Sequence, residues 1–91
     1  MRHLFVVNPV AGGKDKTAAV VQAAAGLLKR GEYEVYTTTA PMDAAEKIRR
    51  EAKQGGELRV YACGGDGTLN EAVNGLMDLP PEKRPSLCYL P

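Results

Sequence analysis

Four short apolar runs, rich in β-branched and aromatic residues, alternate along this chain with three stretches whose apolar residues recur every third or fourth position. No other feature limits the fold as strongly. The run His3-Leu4-Phe5-Val6-Val7 is stopped by Asn8-Pro9 and predicts a buried strand over 3–8. Further strands are predicted over 33–38, 58–63 and 86–90. Between them, Ala18, Val21, Ala25 and Leu28 mark a helix from Asp15 to Arg30, with Gly31 at its C′ stop. Pro41 suits the first turn of a second helix, striped by Ala44, Ala45, Ile48 and Ala52 and ended by Gly55-Gly56. A third helix is expected from about Thr68, with Leu69, Ala72, Val73 and Leu76 inward. Thr68 and Glu71 have the spacing of a capping box. Leu79 to Pro85, with three prolines, reads as a loop.

The order β-α-β-α-β-α-β implies a parallel sheet with right-handed crossovers, covered by helices on both faces: a three-layer α/β/α fold. In such sheets ligands bind beyond the carboxyl ends of the strands, where the strand order reverses. Two turns look specialised for that edge. Asn8-Pro9-Val10-Ala11-Gly12-Gly13-Lys14 follows the first strand, and Gly64-Gly65-Asp66-Gly67-Thr68 follows the third. Both reach one ligand most easily if strands one and three are neighbours, which favours the order 2-1-3-4 over 3-2-1-4.

The second turn carries the clearer chemical signal. Its three glycines allow positive φ and close approach of a ligand to the backbone. The helix behind it offers free N–H groups and the positive end of its dipole, which suit an anion such as phosphate. It is neither a Walker loop nor a dinucleotide fingerprint, because the glycine spacing differs from both. Asp66 could coordinate Mg²⁺ or cap the helix. In the first turn, Asn8 can bond backbone across the bend and Lys14 can reach a phosphate, although a plain βα loop would look similar. Thr37-Thr38-Thr39 ends strand two on the same edge. A hydroxyl there could bond a ribose, base or phosphate, or could simply reflect strand propensity and capping. Glu71 is open between a capping and a functional role. His3 lies at the far end of its strand and reads as structural. Tyr33, Tyr36, Tyr61 and Tyr89 fall in strands and read as packing. No Ser/His/Asp or Cys/His set is visible, and no residue stands out as a general base.

Composition removes several classes of function. Ninety-one residues make one domain or part of one, with a core only marginally large enough. A net charge of +1, with acids and bases interspersed, leaves no footprint for nucleic acid and no polybasic membrane patch. No apolar run approaches the roughly 20 residues of a transmembrane span. No signal peptide is read at the N-terminus. Cys63 and Cys88 sit in strands without metal-like spacing, as expected for a reduced pair in the cytoplasm.

Asn8-Pro9-Val10-Ala11-Gly12-Gly13, followed by Gly64-Gly65-Asp66-Gly67-Thr68-Leu69-Asn70-Glu71, resembles the diacylglycerol kinase catalytic domain. The likeness is to its soluble bacterial lipid kinases in particular, within a superfamily that includes NAD kinase and phosphofructokinase. The resemblance implies ATP and Mg²⁺ as cofactors, and Asn8, Pro9, Val10, Ala11 and Gly12 as the first nucleotide-contacting loop. It implies Thr38 as a nucleotide-contacting threonine. Gly64, Gly65, Asp66, Gly67, Thr68, Leu69 and Asn70 would hold the phosphates, with Asp66 the functionally required, metal-linked aspartate. Ala11 stands where the family commonly has serine, so one side-chain contact is expected to be missing. Family members continue after Leu90-Pro91 into a β-rich second domain that carries the base, a structural Mg²⁺ network and much of the lipid site.

The expectation from this resemblance is that residues 1–91 are a truncated N-terminal nucleotide-binding domain, inactive alone. The complete protein would transfer the γ-phosphoryl group of ATP to a lipid hydroxyl, working in the cytoplasm and peripherally at the inner membrane face, with homo-oligomerisation possible. The alternatives are an NAD-kinase-like enzyme and a non-catalytic nucleotide-sensing or assembly module.

Overall fold

The computed structural model describes residues 1–9, 17–29, 31–40 and 42–90. Its elements run β1 (Arg2–Val7), α1 (Thr17–Leu27), β2 (Tyr33–Thr37), α2 (Asp43–Lys53), β3 (Leu58–Cys63), α3 (Asp66–Met77), a 3₁₀ turn (Pro81–Lys83) and β4 (Ser86–Leu90). The sheet is four-stranded in the order β2-β1-β3-β4, and every pairing is parallel. The predicted alternation and strand order are therefore both present.

The inner strands β1 and β3 are packed on both faces, and side chains alternate between them as the period of two requires. Leu4, Val6, Val60 and Ala62 pack with Ala44 and Ile48 of α2 and with Ala72 and Leu76 of α3. Phe5, Val7 and Cys63 face the other way, onto Ala24 and Val20 of α1. Two helices thus cover one face and one covers the other. The aromatic residues on the α1 side form a stack. The Phe5 ring stacks on the Tyr61 ring, nearly parallel with centroids 4.2 Å apart, and meets Tyr33 edge-on at 6.4 Å. The Tyr61 hydroxyl is 2.8 Å from His3 Nδ1. His3 is thereby tied into the sheet at its amino end, as a structural residue would be.

Two helix C-termini are closed by arginines from other elements. The Arg2 guanidinium donates to the carbonyls of Glu51 at 2.8 Å and Gly55 at 3.0 Å, at the end of α2. Arg84 Nε donates to the carbonyls of Leu76 and Leu79, both at 3.0 Å, at the end of α3. Each satisfies carbonyls left over in the last turn and sets a positive charge against the negative end of the dipole. Both helices therefore point their N-termini toward the carboxyl edge of the sheet.

Two boundaries differ from expectation. Helix α1 ends at Leu27, not Arg30; Leu27 is almost fully exposed, although Leu28 just beyond it still packs against the Phe5 and Val7 cluster. Gly31 does have positive φ, but four residues beyond that end. Helix α3 starts at Asp66, with Gly65 as N-cap and no side-chain cap. Thr68 therefore lies inside the helix, and the predicted capping box does not form. The predicted helix start at Asp15 and the Pro41 turn lie outside the described residues.

Helices α2 and α3 touch backbone to backbone. A Cβ added at Gly75 would lie 2.9 Å from Ala45 Cα and 3.1 Å from its carbonyl oxygen. Backbone cannot yield as a flexible side chain does, so Gly75→Ala must push the helices apart. The expected cost is about 1–3 kcal/mol, typical of overpacking, read as a lower urea midpoint with an unchanged slope. Wild-type stability in that variant would show that the helices are not held at this distance.

Candidate functional site

Adjacent parallel strands bring their carboxyl ends together. Val7 is opposite Cys63 in the β1–β3 ladder and opposite Thr37 in the β1–β2 ladder. The chain then turns outward from all three strands at one edge. The Asn8 amide donates to the Cys63 carbonyl at 3.4 Å, and the Thr38 amide donates to the Val7 carbonyl at 2.9 Å. Beyond these ends lies an open cleft of about 770 Å³, lined by Asn8, Pro9, Thr38, Thr39, Ala40, Gly67 and Glu71.

The structure thus brings Asn8, Pro9, Thr38 and Gly67 to one cleft. Val10, Ala11 and Gly12 lie outside the described residues. Thr38 is buried, and its hydroxyl is 3.4 Å from the Val7 carbonyl, so its proton is directed inward and its lone pairs remain available as acceptors. Leu69 packs against the core formed by α2 and α3. Asn70 is exposed at the start of the second turn of α3. Thr68 is 2% exposed, its amide donates to the Gly65 carbonyl at 3.1 Å, and its buried hydroxyl has no hydrogen-bond partner among the described residues. Its amide and side chain are therefore turned into the fold, so Thr68 does not offer the free N–H group expected of a residue that holds the phosphates.

The glycine turn divides its labour. Gly64 has φ of +135°, a conformation that side chains rarely adopt, and it swings the chain out of β3. Its carbonyl accepts from the Tyr89 hydroxyl at 3.1 Å and its amide donates to Leu90 at 3.2 Å, so β4 fixes the turn. Tyr89 is therefore an anchor for the loop as well as a strand residue. Gly65 is extended, with φ of −90°, and Gly67 is helical; a Cβ on either would meet nothing within 4 Å. Neither conformation nor packing calls for glycine at these two positions. The amides of Asp66 and Gly67 precede the first intrahelical bond and have no acceptor among the described residues.

Asp66 is exposed at the first position of α3, beside the positive end of its dipole. Among the described residues nothing pairs with its carboxylate. No group of three or more His, Cys, Asp or Glu side chains that could hold a metal is found among the described residues. A cation here would therefore take Asp66 plus ligand and water oxygens, the habit of Mg²⁺ at phosphates. The neighbouring Cys63 thiol is buried, and desolvation pushes its pKa up to about 11. It is a packing residue and not a nucleophile.

Ala40 and Met42 carried no functional reading in the sequence; Thr39 and Ala40 form the wall of the cleft opposite the glycine turn, and Met42 follows two residues beyond. Met42 precedes α2 with φ of +68°, unusual for a side-chain-bearing residue. Two carboxylates hold this bend. Asp43 accepts from the Thr39 amide at 2.8 Å, the Thr39 hydroxyl at 3.2 Å and the Tyr36 hydroxyl at 2.6 Å. Glu71, reaching across from α3, accepts from the Met42 amide at 2.6 Å. Proline–aspartate spacing hints at a helix start, but nothing local in the sequence announces the partner 29 residues away.

The hollow at the opposite, amino edge of the sheet is a poorer candidate. It measures about 560 Å³ and is lined in part by Lys53, Glu57, Leu58, Glu82 and Arg84. Arg84 is spent on helix carbonyls, and the helix ends nearby present carbonyls, which repel anions.

The diacylglycerol kinase catalytic domain family matches this chain over residues 2–91, and the chain belongs to that family. It is 39% identical over 83 residues to a protein of Chromohalobacter salexigens named "Probable lipid kinase YegS-like", covering 90% of this chain and 27% of that protein. It is 34% identical over 91 residues to a diacylglycerol kinase of Staphylococcus saprophyticus, covering 99% of this chain and 29% of the relative. A crystal structure of a diacylglycerol kinase from Bacillus anthracis superposes with a TM-score of 0.71 at 31% identity, covering 99% of this chain and 32% of that one. The chain thus spans 27–32% of the length of these relatives.

The Asp43 cluster makes the wall sensitive to pH. The Tyr36 hydroxyl, then the Thr39 amide, hold the Asp43 carboxyl below its ordinary value of 3.8. The hydrogen bond to Asp43 in turn raises the Tyr36 hydroxyl above 10.0. A depressed acid contributes stability above its unfolded pKa and loses it as pH falls through the folded value. A raised phenol contributes below its unfolded pKa and loses it as pH rises. The stability gap between wild type and Asp43→Asn should therefore be flat from about pH 5 to 9 and shrink below about pH 4 and above about pH 10. Urea midpoints across pH measure it; a gap independent of pH would mean that the cluster does not form.

Proposed function

We propose that this chain is the nucleotide-binding part of an ATP- and Mg²⁺-dependent lipid kinase that transfers the γ-phosphoryl group to the hydroxyl of a diacylglycerol-like lipid. The observation that carries the reading is the pair Gly65 and Gly67. Gly67 lies inside α3, where glycine costs up to about 1 kcal/mol relative to alanine, and no positive φ and no close neighbour accounts for it; Gly65 beside it is the N-cap, a position that accepts glycine, and it too leaves the backbone uncovered. What remains is a ligand that must approach the backbone amides of Asp66 and Gly67. Free amides at a helix N-terminus favour an anion, and the family supplies the triphosphate as the anion to expect.

In this reading the glycine turn cradles the phosphates, and Asn8, Pro9 and Thr38 face the rest of the nucleotide across the cleft. Asp66 is the metal-linked carboxylate. Mg²⁺, when bound, neutralises charge on the phosphates and on the group in transfer. The lipid hydroxyl oxygen bonds to the γ-phosphorus, the bond from that phosphorus to the bridging oxygen breaks, and ADP departs. The hydroxyl proton goes to a base in the second domain that the family resemblance implies. That domain would also hold the lipid at the membrane face. No described helix is long and apolar enough to cross a membrane, which fits a peripheral approach.

The test compares Gly67→Ala and Gly67→Val by calorimetric titration with Mg-ATP. A Cβ at this position meets only the cleft, so both variants should fold with wild-type denaturation midpoints or better. Affinity should fall about tenfold or more, the loss of at least one charged hydrogen bond, and further for valine than for alanine. Unchanged ATP affinity in Gly67→Val would remove the phosphate-loop reading. Turnover of diacylglycerol but not NAD by the complete enzyme would separate the lipid kinase from an NAD kinase.

A further inference from the structure

Glu71 spans the gap between the two walls of the cleft. It projects from the first two turns of α3, the helix that begins in the glycine turn, and its Oε1 accepts from the Met42 amide at 2.6 Å. Met42 stands two residues beyond Ala40, which lines the opposite wall with Thr38 and Thr39. The backbone at Met42 is in the left-handed region, with φ of +68° and ψ of −1°, and no side-chain cap holds it from within. A methionine has no intrinsic preference for this conformation, so it persists only where its surroundings impose it. Asp43 ties the bend to Thr39 and Tyr36. Glu71 supplies the tie to α3.

We propose that Glu71 is a positioning residue for the nucleotide: through Met42 it sets where the Thr38–Ala40 wall stands relative to the glycine turn. This rests on the nucleotide reading above. A merely structural role is a poor account of the contact. The helices are already joined by the Gly75–Ala45 contact, by the apolar cluster of Ala44, Ile48, Ala72 and Leu76, and by the Arg49–Asp78 ion pair at 2.6 Å. Met42 is 47% exposed, so its amide can turn to water when Glu71 is removed. Stability then changes little, whereas the bend loses its outside tether and the wall its pre-organised place. The carboxylate acts here as an acceptor of fixed reach, and its negative charge is no help beside a polyphosphate.

Three proteins and two ligands test this: wild type, Glu71→Ala and Glu71→Gln, each titrated with Mg-ATP and with inorganic tripolyphosphate. Tripolyphosphate needs only the glycine turn, whereas ATP needs both walls. Glu71→Ala should bind ATP about tenfold more weakly, the worth of a charged hydrogen bond, while its tripolyphosphate affinity holds or tightens. Glu71→Gln keeps a carbonyl oxygen at the same reach and should stay within about threefold of wild type for ATP. Without ligand, the Met42 amide proton should move upfield in Glu71→Ala and little in Glu71→Gln. Equal loss for both ligands would make Glu71 structural and overturn the proposal. So would a glutamine variant as weak as the alanine one, which would mean that charge is what counts. Wild-type protein that binds neither ligand would bring down the nucleotide reading with it; wild type that binds ATP no better than Glu71→Ala would bring down the positioning role alone.

Discussion

The fold turns on the placement of β1 between β2 and β3. That central strand is buried along four consecutive residues, Leu4 to Val7, and its two ladders carry the register of the sheet. With Val7 opposite both Cys63 and Thr37, three strands end at one level, and three loops must leave from the same edge. Arginines at the far edge close the C-termini of α2 and α3, so both helices present their positive ends where the loops gather. The cleft follows from chain direction and register alone. Its residues become a site because of what stands on that edge.

Glycine plays three different parts in this small domain. At Gly64 it permits a turn with positive φ, and at Gly75 it permits two helices to touch. At Gly65 and Gly67 it does neither. Gly26 in α1 likewise has no positive φ and no close neighbour, but Gly65 and Gly67 stand where β3 gives way to α3, and Gly67 lines the cleft.

The strands were legible in the sequence to within a residue, because apolar β-branched runs bounded by glycine and proline have few other readings. The order 2-1-3-4 was legible for a functional reason, the demand that two specialised turns meet. The start of α3 was misread because Thr68-x-x-Glu71 satisfies a local capping pattern. The helix instead starts two residues earlier, Thr68 is buried, and Glu71 bonds the Met42 amide in another element. A local pattern cannot reveal a partner that only tertiary packing brings near. The same holds for the left-handed bend at Met42, since methionine carries no signal for it. Nor does periodicity report the end of α1 at Leu27, since Leu28 keeps its inward place in the apolar stripe just beyond the last helical residue.

The central claim is that the carboxyl edge of the sheet, and not the hollow at its amino edge, binds the nucleotide. Amide resonances of the labelled protein titrated with Mg-ATP test it most directly. The account predicts saturable shifts confined to Asn8, Thr38, Thr39, Gly65, Asp66 and Gly67. Shifts centred on Lys53, Leu58 and Arg84, with the glycine turn unmoved, would contradict it.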